Sequence, residues 1–147
     1  MNTVIRPMEE RDRERVLGMM RAFYASPAVL SDGSEEIFTA DFDACVGENP
    51  FLEGYVFEEA GELSGYAMAA KSFSTEFGRQ CVWIEDLYIR EEYRGRGIGT
   101  LFLDFIIKKY PGAVFRLEVE EDNAGAVKVY KKRGFEFLDY EEMVKKY

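Results

Sequence analysis

Apolar positions along the chain change their period several times, and each change marks an element. Val4-Ile5-Arg6 reads as a short opening strand. From Asp12 to about residue 24, Val16, Leu17, Met20, Phe23 and Tyr24 recur at helical spacing and form one apolar face. Asp12 is placed to cap that helix and Ser26-Pro27 ends it. Ser34 before Glu35-Glu36 is an N-terminal signature for a second helix reaching about Gly47. Ile37, Phe38, Phe42, Cys45 and Val46 supply its apolar face. The middle of the chain reads as strands. Tyr55–Phe57, the turn Ala60-Gly61-Glu62 and Gly65–Phe73 predict a hairpin. A turn near Glu76-Phe77-Gly78 leads to a strand from Cys81 to Ile89, which carries Glu85-Asp86 at its centre. Acidic residues are depleted in strands, so that pair calls for a reason.

A glycine-rich turn then opens a helix over 98–109. Ile98, Leu101, Phe102, Phe105 and Ile106 form its apolar stripe, and Pro111-Gly112 stops it. Val114–Val119 is another strand, with Phe115, Leu117 and Val119 on one face. Asn123 reads as the N-cap of a helix over 124–133, Gly134 suits its C′ position, and Phe135–Leu138 is expected to form a last strand. The order β-α-α-β-β-β-α-β-α-β is mixed α/β (α+β) around one central sheet. No repeat or linker interrupts it, so residues 1–147 are expected to form a single domain.

Composition narrows the function classes. Apolar residues make up 47% of the 147, enough for a core, yet no apolar run approaches the ~20 residues of a membrane span. The first residues lack the apolar stretch of a signal peptide. Cys45 and Cys81 form no CxxC, which argues against a disulfide scaffold or a thiolate metal site and for a reducing, cytoplasmic setting with no metal. The chain has no histidine. That excludes Ser-His-Asp and Cys-His hydrolases, HExxH metalloenzymes and histidine proton shuttles. Proton transfers in any enzyme built on this chain fall to Glu, Asp, Tyr, Lys, Cys or water. A net charge of −9 disfavours nucleic acid as a partner and suits a small cation, although solubility alone accounts for it equally well.

The segment Arg94-Gly95-Arg96-Gly97-Ile98-Gly99 puts three glycines between a strand and a helix. Such a loop lets backbone N–H groups approach a phosphate with a helix dipole behind them. It lacks the Gly-Lys-Ser/Thr of a Walker loop, and its G-x-G-x-G spacing departs from the Rossmann GxGxxG. The remaining readings are a pyrophosphate cradle of another kind and an ordinary strand-to-helix turn.

Here the chain resembles the GNAT N-acetyltransferases. Arg94, Gly97 and Gly99 match that family's Q/R-x-x-G-x-G/A loop. Asn123, Ala126, Tyr130 and Gly134-Phe135 match its N-x-x-A-x-x-x-Y-x-x-x-G-F segment. The similarity covers nearly the whole chain. Trp83–Ile89, Tyr93-Arg94-Gly95, Tyr130–Gly134 and Asn49-Pro50-Phe51 resemble the diamine (spermidine/spermine) branch in particular. The resemblance implies a mostly antiparallel central sheet, splayed between strands four and five and flanked by helices. It implies acetyl-CoA as cosubstrate, with pantetheine against Leu87, Tyr88 and Ile89. The pyrophosphate would lie on Arg94, Gly95, Arg96, Gly97, Ile98, Gly99 and Thr100, with further contacts from Asn123, Ala126 and Tyr130. It also implies a homodimer.

An amine with a lysine-like pKa of ~10.4 lies about 3.4 units, roughly 4.6 kcal/mol, from its free base at pH 7. A carboxylate beside it can take the proton, and Glu85 is the candidate base, directly or through water; a solvent-facing or salt-bridged strand glutamate is the structural alternative. By strand alternation Asp86 is expected on the opposite face, as an orienting or substrate-charge residue. The thiolate leaving group needs an acid that stays protonated at pH 7, and Tyr130 takes that role by resemblance, with core packing as its alternative. Lys131-Lys132-Arg133 reads either as a contact to the CoA 3′-phosphate or as a solvated helix end. The function implied is acetyl transfer to a primary amine of a small cationic acceptor, a diamine or polyamine. The alternatives are an aminoglycoside, amino acid or protein amine as acceptor, or a CoA-binding module without turnover.

Overall fold

The computed structural model describes residues 2–147. A five-stranded sheet runs in chain order: β1 (Val4–Pro7), β2 (Leu52–Glu59), β3 (Glu62–Ser74), β4 (Arg79–Ile89) and β5 (Val114–Leu117). The first four strands pair antiparallel, while β4 and β5 pair parallel, from Cys81 opposite Val114 to Ile84 opposite Leu117. The parallel pair needs a crossover, and α3 (Ile98–Lys109) supplies it.

Helices α1 (Arg13–Tyr24) and α2 (Glu35–Val46) cover one face of the sheet, with Val16, Met20, Phe38 and Phe42 packed on Val56, Tyr66 and Met68. Helix α3 covers the other face, seating Ile98, Phe102 and Ile106 on Phe57, Val82 and Ile84. Its bounds coincide with the predicted 98–109, but within the stripe Leu101 is exposed and Leu103 is buried instead. The Ser34 hydroxyl caps α2 by accepting from the Ile37 amide at 3.2 Å.

Asp12 does something other than cap α1. Its fully buried carboxylate accepts from the Glu9 amide and from both terminal nitrogens of Arg6, at 2.8–2.9 Å. It thereby pins the short turn before α1 to β1. Arg6 also reaches Glu58 of β2 at 2.8 Å, so one guanidinium joins two strands to the start of the helix.

The expected strand at Phe135–Leu138 does not form. α4 (Ala124–Lys132) is followed by Gly134, whose φ of 92° turns the chain, and residues 135–147 have no strand pairing. The run has strand composition, but it does not pair with the free outer edge of β5, and Phe137 and Leu138 stay about half exposed. β5 likewise stops at Leu117 rather than Val119, because its partner β4 diverges after Ile84.

Candidate active site

The divergence begins at an irregularity in β4. Met68 of β3 pairs with Asp86, yet the adjacent Ala69 pairs with Ile84. Glu85 is therefore an extra residue without a partner on β3, a β-bulge of the kind that re-aims side chains. The strand's facing changes across it: Val82 and Ile84 pack towards α3, and so do Leu87 and Ile89, while Tyr88 packs towards α1. Strict alternation placed Asp86 opposite Glu85. The bulge corrects this, and both acidic side chains line the same cleft.

The cleft opens where β4 and β5 part and encloses about 1290 Å³. Trp83, Glu85 and Asp86 border it from β4, Phe115 and Leu117 from β5, and Tyr130 from α4. Glu85, Asp86 and Tyr130 thus line one cleft. Leu87, Tyr88 and Ile89 continue β4 past the last β5 pair, with one edge unpaired by β5. Asn123 and Ala126 start α4, and the Asn123 side chain accepts from the Ala126 amide at 3.4 Å, so its capping role is realised.

The glycine loop stands at the end of β4 rather than in the cleft wall. Arg94 Nε donates to the Ile89 carbonyl at 2.9 Å, and its guanidinium lies 5.8 Å from the Tyr88 ring centre. Gly95 and Gly97 have φ of 78° and 81°, a left-handed backbone that side chains rarely adopt. A Cβ at Gly95, Gly97 or Gly99 would meet open space, so the loop's glycines do not serve internal packing. Gly97 precedes α3 and no side chain caps that helix. Its first-turn N–H groups have no intrahelical acceptor, while Ile98 anchors the turn in the core. Exposed amides on an uncapped helix start suit a diphosphate, and Arg96 and Thr100 flank them.

Electrostatics set the cleft apart from the rest of the surface. Burial, then the charge of Asp86, then that of Glu142 push the Glu85 carboxyl above its ordinary range. Burial also raises Asp86, against the opposing effect of hydroxyl donors Tyr66 at 2.6 Å and Tyr24 at 3.1 Å. Asp41 on α2 is pushed up to about 6 by burial and by the charges of Asp86 and Glu85. Glu118, just beyond β5, rises to about 7 through a shared hydrogen bond with Glu142, burial and the charge of Glu85. Burial raises Tyr130 as well, which keeps its hydroxyl protonated. Among the described residues, no lysine or arginine is ion-paired with Asp41, Glu85, Asp86, Glu118 or Glu142. Sequence reasoning missed Asp41, Glu118 and Glu142 because they are far from Glu85 in the chain and meet it only in the fold.

Neither cysteine is an activated nucleophile. Burial pushes Cys45 up to about 12 and also raises Cys81, so both stay thiols near neutral pH. Arg133, whose guanidinium pairs with Asp104 of α3 at 2.8 Å, is a helix-to-helix tie.

Known proteins resemble this chain in sequence and in fold. A pig (Sus scrofa) thialysine N-epsilon-acetyltransferase is 36% identical over 90% of this chain and 84% of its own length. A spermine/spermidine N(1)-acetyltransferase of Bacillus subtilis is 29% identical over 52% of this chain and 55% of its own. The aminoglycoside N-acetyltransferase AAC(6')-Iy, solved with a CoA-linked bisubstrate analogue, superposes with a TM-score of 0.78 at 16% identity, covering 100% of this chain and 99% of its own. The acetyltransferase (GNAT) family model matches residues 12–135, which span the α1 start, the β4 bulge, the glycine loop and α4. By that match and by its identity to the pig enzyme, the chain belongs to the GNAT family and is an acetyl-CoA-dependent acetyltransferase.

Proposed function

We propose that the protein transfers acetyl from acetyl-CoA to a primary amine of a small cationic diamine or polyamine by direct attack. The observation that carries this reading is the carboxylate-bearing cleft at the β4 bulge, lined by Glu85, Asp86 and Tyr130, with no lysine or arginine ion-paired to either carboxylate among the described residues. Acetyl-CoA would lay its diphosphate on the Arg94–Thr100 loop and its pantetheine along Leu87–Ile89, with Asn123 and Ala126 at the far wall. That path ends with the thioester beside Glu85.

The acceptor enters as an ammonium, held by Asp86 and Asp41. Glu85 takes its proton, and the raised carboxyl pKa brings the base closer to working pH. The amine lone pair attacks the thioester carbonyl carbon. A backbone N–H on the bulged stretch of β4 is suited to hold the developing oxyanion. The C–S bond then breaks, the departing thiolate takes the Tyr130 hydroxyl proton, and the second proton, shed by the nitrogen as it becomes an amide, returns through water to the tyrosinate. An acceptor carrying an α-carboxylate, as thialysine does, meets repulsion in the same cleft, which favours polyamines over amino acids.

The homodimer expectation draws support from the exposed apolar side chains of the C-terminal segment, Phe137, Leu138, Met143 and Val144. Its measure is a mass in light scattering that corresponds to two chains. The two free cysteines and the −9 charge support a cytoplasmic setting without nucleic-acid or membrane partners.

Incubation with acetyl-CoA and a thiol reagent, across a polyamine, thialysine, an aminoglycoside and a neutral amide, tests the function. Thiol release is expected fastest with the polyamine. Equal rates for the neutral compound would remove the cationic acceptor, and no release with any amine would remove turnover.

A further inference from the structure

Tyr24 is the last residue of α1 and borders the cleft, yet it takes no step in the chemistry described above. Its ring is locked in place. Phe23 lies edge-on to it, 5.5 Å between ring centres, and Phe38 of α2 stands at 5.2 Å. Gly33, in the connection between α1 and α2, packs so closely that a Cβ there would fall 3.3 Å from the Tyr24 ring and 2.5 Å from that of Phe38. A ring held this way delivers its hydroxyl to one place, Oδ1 of Asp86, at 3.1 Å. Tyr66 of β3, fully buried, donates to Oδ2 at 2.6 Å. Asp86 is 5% exposed, and no lysine or arginine among the described residues pairs with it. A buried carboxylate without a counter-charge is costly, and here one hydroxyl donor on each oxygen offsets the lost water.

We propose that Tyr24 is a positioning residue for the acceptor, its hydroxyl holding the Asp86 carboxylate ionised and fixed on the cleft wall where the substrate ammonium is bound. The inference rests on reading the cleft as the acceptor site. The groups that face Asp86 leave this task to hydroxyls. Glu85 adjoins it on β4, and Asp41 and Cys45 feel its charge from α2. The two carboxyls repel that charge, and Cys45 stays a neutral thiol. Burial pushes the Asp86 carboxyl up, and the donations from Tyr66 and Tyr24 oppose it, since a hydroxyl donor favours the charged form over the neutral one. Burial and the Asp86 charge push the Tyr24 hydroxyl up as well, so it remains a donor across the neutral range. Without that donor the balance at Asp86 moves towards the uncharged acid, which has no charge to offer an ammonium. Glu85 and Tyr130, which move the protons of the reaction, are untouched by the change. Tyr24 thus acts on how the acceptor is held and not on how it reacts.

The test is Tyr24→Phe, which keeps the ring and its packing and removes only the donor. Its reference is Tyr55→Phe, which removes a 2.6 Å hydroxyl-to-carboxylate bond to Glu53, neither residue bordering the cleft. Spermidine is the probe. Its Kd in the presence of CoA is read by calorimetry, and KM and kcat by thiol release, between about pH 6 and 9. At pH 7 Tyr24→Phe should raise Kd and KM about tenfold, the scale of one hydrogen bond to a charged group, while kcat changes far less. The ratio of variant to wild type should narrow as pH rises, because Asp86 then ionises without help. Titration of the amine, of Asp41 and of Glu85 occurs in both proteins and cancels in that ratio. Tyr55→Phe should leave Kd, KM and their pH course as they were, whatever it does to unfolding. Unchanged Kd and KM in Tyr24→Phe, a weakening of equal size at every pH, or a fall in kcat alone makes the hydroxyl a structural tie and overturns the positioning role. The proposed function then stands wherever spermidine is still acetylated. Spermidine binding that weakens with the expected pH course but is never followed by acetylation overturns the proposed function and leaves the role of Tyr24 standing. A wild type that does not bind spermidine overturns both.

Discussion

Glu85 occupies a position that an ordinary strand would not give it. As the unpaired residue of the bulge it avoids pairing with β3 and keeps solvent access. Replacing it by glutamine removes the base while keeping the shape. Turnover with a polyamine at pH 7 is expected to fall by about 10²–10³-fold. It should recover as pH rises, because the free-base fraction of the amine grows about tenfold per unit below its pKa of ~10.4. An initial-rate pH profile checks both arms, and full activity of Glu85→Gln at pH 7 would remove the base role. Tyr130→Phe should lower turnover through poorer protonation of the thiolate, measurable as thiol release under saturating acetyl-CoA. Asp86 carries a structural load as well. Its removal in Asp86→Ala leaves the hydroxyls of Tyr66 and Tyr24 without their acceptor, at a cost of about 1–3 kcal/mol readable in denaturant unfolding.

At the level of elements, much of the architecture was legible because helices and strands announce themselves by local period. Ile98–Lys109 matched its prediction at both ends, since a glycine loop before it and Pro111-Gly112 after it are local signals. The missing strand at Phe135–Leu138 shows the limit. Composition selects an extended backbone, but a strand also needs a partner in register, and this run does not pair with the free edge of β5. The bulge at Glu85 was invisible for the same reason, since register belongs to two strands together. Asp12 looked like a cap from its place before α1, and only the arrival of Arg6 from β1 reveals its tie to the sheet. The glycine loop was fully legible, because positive φ at Gly95 and Gly97 is a local property of those residues. Gly97→Val forces a β-branched side chain into that conformation, at about 1–2 kcal/mol of strain, and puts a side chain where a diphosphate would rest. A weakening of CoA affinity by at least about tenfold is expected in calorimetry, and unchanged affinity would sever the loop from CoA.

For the whole molecule the carboxyls divide into two groups with opposite pH effects. Burial acts to raise Glu53, but hydroxyl donors Tyr110 and Tyr55 and the Lys71 ammonium outweigh it and hold the carboxyl at about 2. Asp12 is lowered too: burial opposes this, and the Arg6 hydrogen bonds prevail. Stability from these two is present above their unfolded values of about 4 and is lost as pH falls. Asp41 at about 6 and Glu118 at about 7 run the other way. Their contribution is present below about 4 and lost as pH rises through 6 and 7. The melting temperature is therefore expected to peak near pH 5 and decline towards pH 8. A polyamine should raise it more at pH 8 than at pH 5. Scanning fluorimetry across that range checks the dome, and a flat or rising profile from pH 5 to 8 would contradict it.

Helix α4 buries none of its side chains fully, and the segment after it is exposed from Glu136 to Tyr147. The part of the chain from α4 onward thus leans on a gap, where the part before it packs on a core. In kinetic terms the sheet with α1, α2 and α3 is one cooperative unit and α4 a second, weaker one. Amide protons of α4 should exchange with solvent orders of magnitude faster than those of β2 and β3. A ligand filling the gap would slow exchange in α4 far more than in the sheet. Under the proposed function, acetyl-CoA would complete the packing beside α4, and protection of the amides around Tyr130 on its addition is the expected outcome.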